Sequence, residues 1–196
     1  MLLVGCLVLG SGVAMLLAAD LGSDGYSTLV NGIALTTGLA FWITNLIVGA
    51  VLVVLAMLRN VYPGVGTLVQ VVLVGVVVGV VLDLTTTPDH PAWRIVLLLA
   101  AFPVLALGIA LYLGSHTGAG PAEAAAQAWD PPVAFKWSYS VVQGAGAIGG
   151  WLLGATVGVG TFAVIFLLGP AVDLAARVVR VDLHRATDPA RADAAP

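Results

Sequence analysis

The chain has 196 residues, of which 60% are hydrophobic and only 9% are charged, and its mean hydropathy is +1.08. A soluble domain is usually about a quarter charged, so this composition excludes a soluble globule and indicates an integral membrane protein surrounded by lipid. The net charge of −3 comes without a basic stripe, which excludes nucleic acid as a partner.

Long gaps between charged residues predict about six transmembrane helices, because charges are costly at the centre of a bilayer and a spanning helix needs about 20 apolar residues. The first gap has no basic residue before it, so we interpret it as a retained span rather than a signal peptide. The predicted spans cover residues 1–19, 40–58, 61–82, 95–115, 136–155 and 157–178.

Two segments between these spans, residues 22–38 and 116–130, are too polar to face lipid. Irregular backbone inside a membrane is tolerated only where protein buries it, so we expect each segment to form a short helix that re-enters the membrane or lies in its interface. Their polar side chains are the candidates for binding a substrate or a coupling ion: Ser23, Asp24, Asn31, His116, Glu123 and Gln127.

The ionisable candidates also have structural interpretations. Asp24 precedes a predicted helix at Gly25, where its side chain suits an N-cap. Glu123 suits the first turn of a helix, whose dipole favours an acidic residue, whereas His116 within reach of Glu123 would form a proton relay.

Uncharged polar residues and glycines inside the spans predict how the helices pack. The polar residues are expected to bond a neighbouring helix, with the lining of a polar pathway as the alternative. They are Asn45, Gln70 and Gln143. Small residues at four-residue spacing predict close packing within the bundle, with a homodimer seam as the alternative. They are Gly146, Gly150 and Gly154 on one span and Gly75 and Gly79 on another.

The two halves of the chain, residues 1–94 and 95–180, resemble one another. Gly12 corresponds to Gly108 at a spacing of 96 residues, and the Gly-Val-Gly-Thr sequence at 64–67 recurs 94 residues later. Each half holds three predicted spans, an odd number that turns the second half upside down. The fold prediction is therefore an all-α, polytopic membrane protein of two inverted repeats, each with a polar short helix, which is a plan typical of secondary transporters.

Basic residues predict the orientation of the chain in the membrane. With the tail, residues 181–196, on the inside, Arg59 and Lys136 also fall inside and only Arg94 falls outside. We therefore expect both termini on the cytoplasmic side and a disordered cytoplasmic tail.

Five short motifs carry a family resemblance: Leu-Gly-Ser-Asp-Gly at 21–25, Thr-Gly at 37–38, Pro-Gly-Val-Gly-Thr at 63–67, Val-Gly-Thr at 159–161 and Leu-Gly-Pro-Ala-Val-Asp at 168–173. They resemble the YczE/YitT-type bacterial integral membrane proteins over nearly the whole chain, to about residue 178. The resemblance implies a multi-pass protein of the bacterial cytoplasmic membrane and supplies no reaction.

The sequence predicts a carrier or exporter of an unidentified small solute. The alternatives are an accessory protein that scaffolds membrane enzymes, or a substrate-binding subunit of an ATPase-driven transporter. The chain has no Gly-x-Ser-x-Gly elbow, P-loop or His-Glu-x-x-His motif, so we expect no enzyme activity, cofactor or metal site. Cys6 is the single cysteine, which excludes an internal disulfide.

Overall fold

The computed structural model describes residues 1–129, 132–133 and 135–181, with backbone only at residues 135 and 136. These residues form eight α-helices and no strand, which confirms the all-α prediction. Beyond Val181 the predicted tail lies outside the described residues. The helices are α1 (Leu2–Ala19), α2 (Gly25–Thr37), α3 (Phe41–Met57), α4 (Val65–Leu84), α5 (Pro91–Leu113), α6 (Pro121–Gln127), α7 (Phe135–Leu152) and α8 (Val159–Val179).

Four helices in the described part of the chain, α1, α4, α5 and α8, are long and apolar enough to cross a membrane. Helix α3 is equally apolar but has 17 residues. Helix α7 has 18 residues, and its first half carries several polar side chains that lower its hydropathy: Ser138, Tyr139, Ser140 and Gln143. The predicted spans therefore correspond to four clear candidates, and the two further spans stay a prediction.

Prolines and capping groups shift some helix boundaries from the predicted ones. Helix α4 begins at Val65 rather than residue 61, because Pro63 precedes an extended Gly64 whose N–H donates to Thr67 Oγ1 at 3.2 Å. Helix α5 begins four residues earlier than predicted, at Pro91, where His90 Nδ1 caps the helix by accepting from the Ala92 N–H at 3.1 Å.

The polarity of this bundle is suited to lipid. Large apolar side chains point outward along most helices, for example Leu3, Val51, Val72, Leu99 and Phe166. The buried positions include hydroxyl side chains, namely Ser23, Ser27, Thr28, Thr44, Thr67, Ser138 and Thr161. Small and hydroxyl-bearing residues let membrane helices approach closely and bond one another. The arrangement is that of a helical membrane protein.

Helices α1 and α5 pack tightly at the centre and run antiparallel. A Cβ on Gly12 would lie 2.8 Å from Leu105 Cγ, and a Cβ on Gly108 would lie 2.5 Å from Leu9 N. Leu9 and Leu105 are 96 positions apart, as are Gly12 and Gly108. The contact of Gly12 with Leu105 is therefore repeated by the matched contact of Gly108 with Leu9.

Helix α2 packs along the second half of α7. A Cβ on Gly146 would lie 2.5 Å from Gly25 O, and Thr36 Oγ1 donates to Leu153 O at 3.3 Å. The start of α2 therefore lies beside the middle of α7, and its end lies beside the end of α7. The predicted glycine ladder serves this contact through Gly146 and Gly150, whereas Gly154 has a φ of +91° in the turn after α7.

Candidate functional site

A cavity of about 70 Å³ lies at the centre of the bundle, and each of the eight helices contributes to its wall. This volume holds a few water molecules or one small solute. Its apolar wall includes Leu9, Val13, Leu16, Phe41, Val74, Leu105, Ile109, Val164 and Leu168. Its polar wall includes Asp24, Tyr26, Ser27, Asn45, Gln70, Tyr112, Glu123, Tyr139 and Gln143.

The wall of this cavity is built from matched positions of the two halves. At a spacing of 96, Leu9 matches Leu105 and Leu16 matches Tyr112. At a spacing of 94, Asn45 matches Tyr139. The cavity therefore lies where the two halves meet, although the chemistry of matched residues often differs.

Asp24 has two roles, as a helix cap and as part of the cavity wall. Its Oδ2 accepts from the Ser27 N–H at 3.0 Å, which caps α2 as the sequence predicted. Its backbone carbonyl accepts from Thr28 Oγ1 at 2.7 Å. Burial raises the pKa of the Asp24 carboxyl above its usual range, and the bond from Ser27 opposes that shift.

Glu123 lies in the first turn of α6 and faces the same cavity. A Cβ on Gly120 would lie 2.5 Å from Glu123 Oε2, 3.1 Å from Gln70 Nε2 and 3.2 Å from Tyr112 Oη. These three polar atoms therefore surround the space that a side chain at position 120 would occupy. Burial raises the pKa of Glu123, and the nearby charge of Asp24 raises it further.

Tyr112 contributes a hydroxyl without a partner. The residue is 1% exposed, and its Oη has no hydrogen-bond partner among the described residues. A buried polar group is nearly always bonded, because desolvating it alone costs about 1–3 kcal/mol. An unpaired hydroxyl at a cavity wall therefore marks a position where a bound molecule would complete the bonding.

Asn45 and Gln143 bond neighbouring helices, as predicted, and they also line the cavity. Asn45 Nδ2 donates to Val71 O at 2.6 Å, and its Oδ1 accepts from Tyr26 Oη at 3.0 Å. Gln143 Oε1 accepts from the Tyr26 N–H at 3.0 Å, and its Nε2 donates to Tyr139 Oη at 2.7 Å. These bonds hold two tyrosines in place against the cavity.

The other predicted site residues lie elsewhere. Ser23 is buried with its Oγ 2.9 Å from Thr28 Oγ1, and Asn31 lines a separate small cavity beside Ser23 and Asp20. His116 is exposed after the end of α5, and Gln127 is the last residue of α6. Neither lines the central cavity, and the relay between His116 and Glu123 stays a prediction.

Sequence reasoning missed the three tyrosines of the cavity, Tyr26, Tyr112 and Tyr139. A tyrosine in an apolar run is usually core or interfacial belt, so nothing local distinguishes it. The internal repeat matches Tyr112 to Leu16, yet only the folded structure shows that both residues line the cavity.

No basic side chain lines the cavity in the described part of the chain. Arg59 stacks on the Trp129 ring at 4.3 Å, and Arg94 pairs with Asp20 at 3.3 Å. Arg177 and Arg180 are exposed near the end of α8. The described residues also contain no group of three or more His, Cys, Asp or Glu side chains that could hold a metal ion.

Comparisons with known proteins identify relatives without a described activity. Residues 1–177 match the model of a family described as "Family of unknown function (DUF6198)". A Haemophilus influenzae protein described as uncharacterized is 29% identical over 177 residues, which is 88% of this chain and 80% of that protein. No solved structure matches.

Proposed function

This chain belongs to the family of unknown function DUF6198, and we propose that it is a non-enzymatic membrane carrier that binds a small solute in its central cavity. The proposal depends on one observation: Asp24 from the first half and Glu123 from the second line the same cavity. An ionisable group buried in a membrane bundle is costly and usually marks a substrate or ion pathway. Two of them, drawn from matched short helices, favour such a pathway over a scaffold.

We also propose six spans in two inverted repeats, with the cavity between them. The antiparallel packing of α1 against α5 supports inversion, because these helices are matched by the repeat. Inverted repeats place a substrate near the midplane between discontinuous helices and move it by rocking one repeat against the other.

Both polar short helices would then re-enter the membrane from opposite faces. Helix α2 begins beside Gln143, in the middle of α7, and ends beside Leu153. Helix α6 begins at the cavity and is followed by Ala128, whose carbonyl accepts from Arg59 Nε beyond the end of α3. The starts of both helices would thus meet at the midplane.

The distribution of charged contacts supports the predicted orientation. Arg59 and Trp129 lie together near one end of the bundle, whereas Arg94 pairs with Asp20 near the other. The positive-inside rule puts the Arg59 end and both termini in the cytoplasm of a bacterial inner membrane. We also propose a relation to the YczE/YitT-type proteins, and only the sequence motifs support it.

Uptake into proteoliposomes tests the carrier function without assuming a solute. Purified protein is reconstituted and incubated with a mixture of small neutral, anionic, zwitterionic and cationic solutes, and trapped solutes are measured by mass spectrometry. We expect saturable uptake of one class that is lost in a variant carrying Asp24→Asn and Glu123→Gln. Asp89→Asn is the matched control, since Asp89 is exposed and does not line the cavity.

The other outcomes separate the alternatives. Uptake unchanged in the double variant would contradict a role for the two carboxyls. Absence of uptake and of binding for every solute would favour the scaffold. Uptake that appears only with a co-purified ATPase would favour a subunit of an ATPase-driven transporter.

A further inference from the structure

We infer that the solute is a small organic cation, an alkylammonium or guanidinium compound, which binds between the Asp24 and Glu123 carboxylates. This inference rests on the proposed carrier function and names its substrate class. Its basis is the charge, the bonding capacity and the size of the central cavity.

The two carboxyls of the cavity favour a positively charged partner. Two carboxyls line it, and no described Lys, Arg or His side chain faces them. An isolated carboxylate is strongly disfavoured in an apolar environment unless it is paired or protonated. A cation bound between the two would satisfy both, whereas an anion would be repelled by both.

The bonding groups suit a solute that carries N–H donors. Glu123 Oε2 accepts hydrogen bonds, and Tyr112 Oη has lone pairs and no partner in the described structure. Both atoms would lie within 3.2 Å of a Cβ on Gly120, so they are close neighbours. A planar guanidinium or an ammonium group donates to several such acceptors at once.

The remaining wall favours an organic cation over a bare metal ion. The aromatic rings of Phe41, Tyr26, Tyr112 and Tyr139 line the cavity, and aromatic faces attract organic cations. Hard metal ions prefer about six oxygen ligands at short distance, a density that a wall rich in leucine and valine does not supply. The volume of about 70 Å³ limits the solute to a few heavy atoms.

Protons are expected to compete with this cation for the same carboxyls. The titratable groups at the cavity are Asp24, Glu123 and the three tyrosines, with the Cys6 thiol of α1 near Tyr112. Burial raises the pKa of both carboxyls, which favours their protonated forms, so a cation that binds the carboxylates competes with protons. Affinity should therefore rise with pH by up to about tenfold per pH unit for each proton displaced.

Guanidinium and urea form the matched pair of probes, because they are planar molecules of similar shape that differ in charge. Binding to purified protein is measured by calorimetry, well below denaturing concentrations, and uptake of radiolabelled guanidinium is measured in proteoliposomes. We expect guanidinium to bind and enter, and urea to do neither. Asp24→Asn and Glu123→Gln should each weaken guanidinium binding by roughly 10- to 100-fold, as expected for loss of a buried charged partner.

Two further variants separate a binding role from a structural one. Tyr112→Phe should weaken guanidinium binding without lowering the thermal midpoint, because its hydroxyl bonds nothing in the described structure. Gly120→Ala puts a methyl group against Glu123 Oε2 and should block binding, whereas Gly144→Ala meets no atom within 4 Å and should not.

The pH dependence of guanidinium affinity should become shallower in Glu123→Gln. Guanidinium itself stays charged across the range, so that change reports the protein.

Equal binding of urea and guanidinium would overturn the assignment. So would uptake restricted to neutral or anionic solutes, which would leave the carrier function standing. Saturable binding of Na⁺ or K⁺ without guanidinium would also overturn it, in favour of an inorganic ion. If no solute of any class binds or enters, the carrier function fails together with the inference.

Discussion

The N–H of Gly160 donates to the carbonyl oxygen of Leu21 at 2.8 Å, which joins the first turn of α8 to the loop after α1. The same bond recurs with the halves exchanged, since the Gly66 N–H donates to Thr117 O at 2.8 Å. Leu21 and Thr117 are 96 positions apart, and Gly66 and Gly160 are 94 apart. Each half therefore holds the loop that leads into the other half's short helix, and we call each of these two hydrogen-bonded contacts a clasp.

Alanine at the glycine that follows the acceptor of each clasp, Gly22 after Leu21 and Gly118 after Thr117, should destabilise the bundle. Gly22 has a φ of +100°, and a Cβ there would lie 2.5 Å from Thr161 Oγ1. Gly118 has a φ of +134°, and its Cβ would lie 2.8 Å from Thr67 Oγ1. A side chain in the left-handed region costs about 1–2 kcal/mol before any clash is counted. We expect Gly22→Ala and Gly118→Ala to lower the thermal midpoint in detergent, followed by tryptophan fluorescence.

The control for these variants is Gly169→Ala, on α8. A Cβ there would meet no atom within 4 Å, and alanine in a helix interior is about 0.5–1 kcal/mol better than glycine. If Gly22→Ala and Gly169→Ala have the same thermal midpoint, the predicted need for glycine at position 22 is wrong.

Thr67 and Thr161 follow the donor glycines of the two clasps and should respond differently to substitution by valine. Thr67 Oγ1 donates to Ala119 O at 2.6 Å and accepts from the Gly64 N–H, whereas the buried Oγ1 of Thr161 has no partner among the described residues. Thr67→Val should cost about 1–3 kcal/mol of unfolding free energy by leaving bonded groups unpaired. Thr161→Val should be neutral or slightly stabilising. A chemical unfolding curve for each variant measures the difference, and equal losses would refute the asymmetry.

Hydropathy alone predicted where most helices lie, because bilayer thickness sets the length of an apolar run whatever its neighbours are. The helix boundaries differ from the predicted ones where local residues set them. Helix α5 begins at Pro91 after the capping side chain of His90, and α6 begins only at Pro121. The polar residues that meet at the cavity could be singled out as Asp24, Asn45, Gln70, Glu123 and Gln143, because polar groups are conspicuous in an apolar chain.

Which polar residues share a site could not be predicted in the same way. Asn31 and His116 are polar residues of the same two segments as Asp24 and Glu123, yet they lie outside the central cavity, because the direction of a side chain depends on how the chain packs around it. Tyr112 lines the cavity but was not predicted, since a tyrosine inside an apolar helix has no distinctive sequence pattern. The convergence at Gly120 joins residues from different helices and exists only in the folded chain.

The capping and binding roles of Asp24 should separate in two variants. Asparagine caps a helix about as well as aspartate, whereas alanine costs roughly 1 kcal/mol at that position. Because Oδ2 of Asp24 accepts from Ser27, we expect Asp24→Ala to lower the thermal midpoint and Asp24→Asn to leave it nearly unchanged. Solute uptake at low solute concentration should be strongly reduced in both. Normal uptake by the stable Asp24→Asn protein would reduce Asp24 to a cap.

Cysteine labelling at matched positions tests the inversion of the halves. Leu39 follows α2 and Val133 precedes α7, and both are exposed and lie 94 positions apart. In a Cys6→Ser background, a membrane-impermeant maleimide applied to intact cells should label Leu39→Cys and leave Val133→Cys unlabelled. Permeabilised cells should show both labelled, which proves that each thiol is reactive. Labelling of Val133→Cys alone would keep the inversion and reverse the orientation. Labelling of both in intact cells would put the matched loops on one side. The halves would then be parallel, and carriage by rocking one repeat against the other would lose its geometric basis.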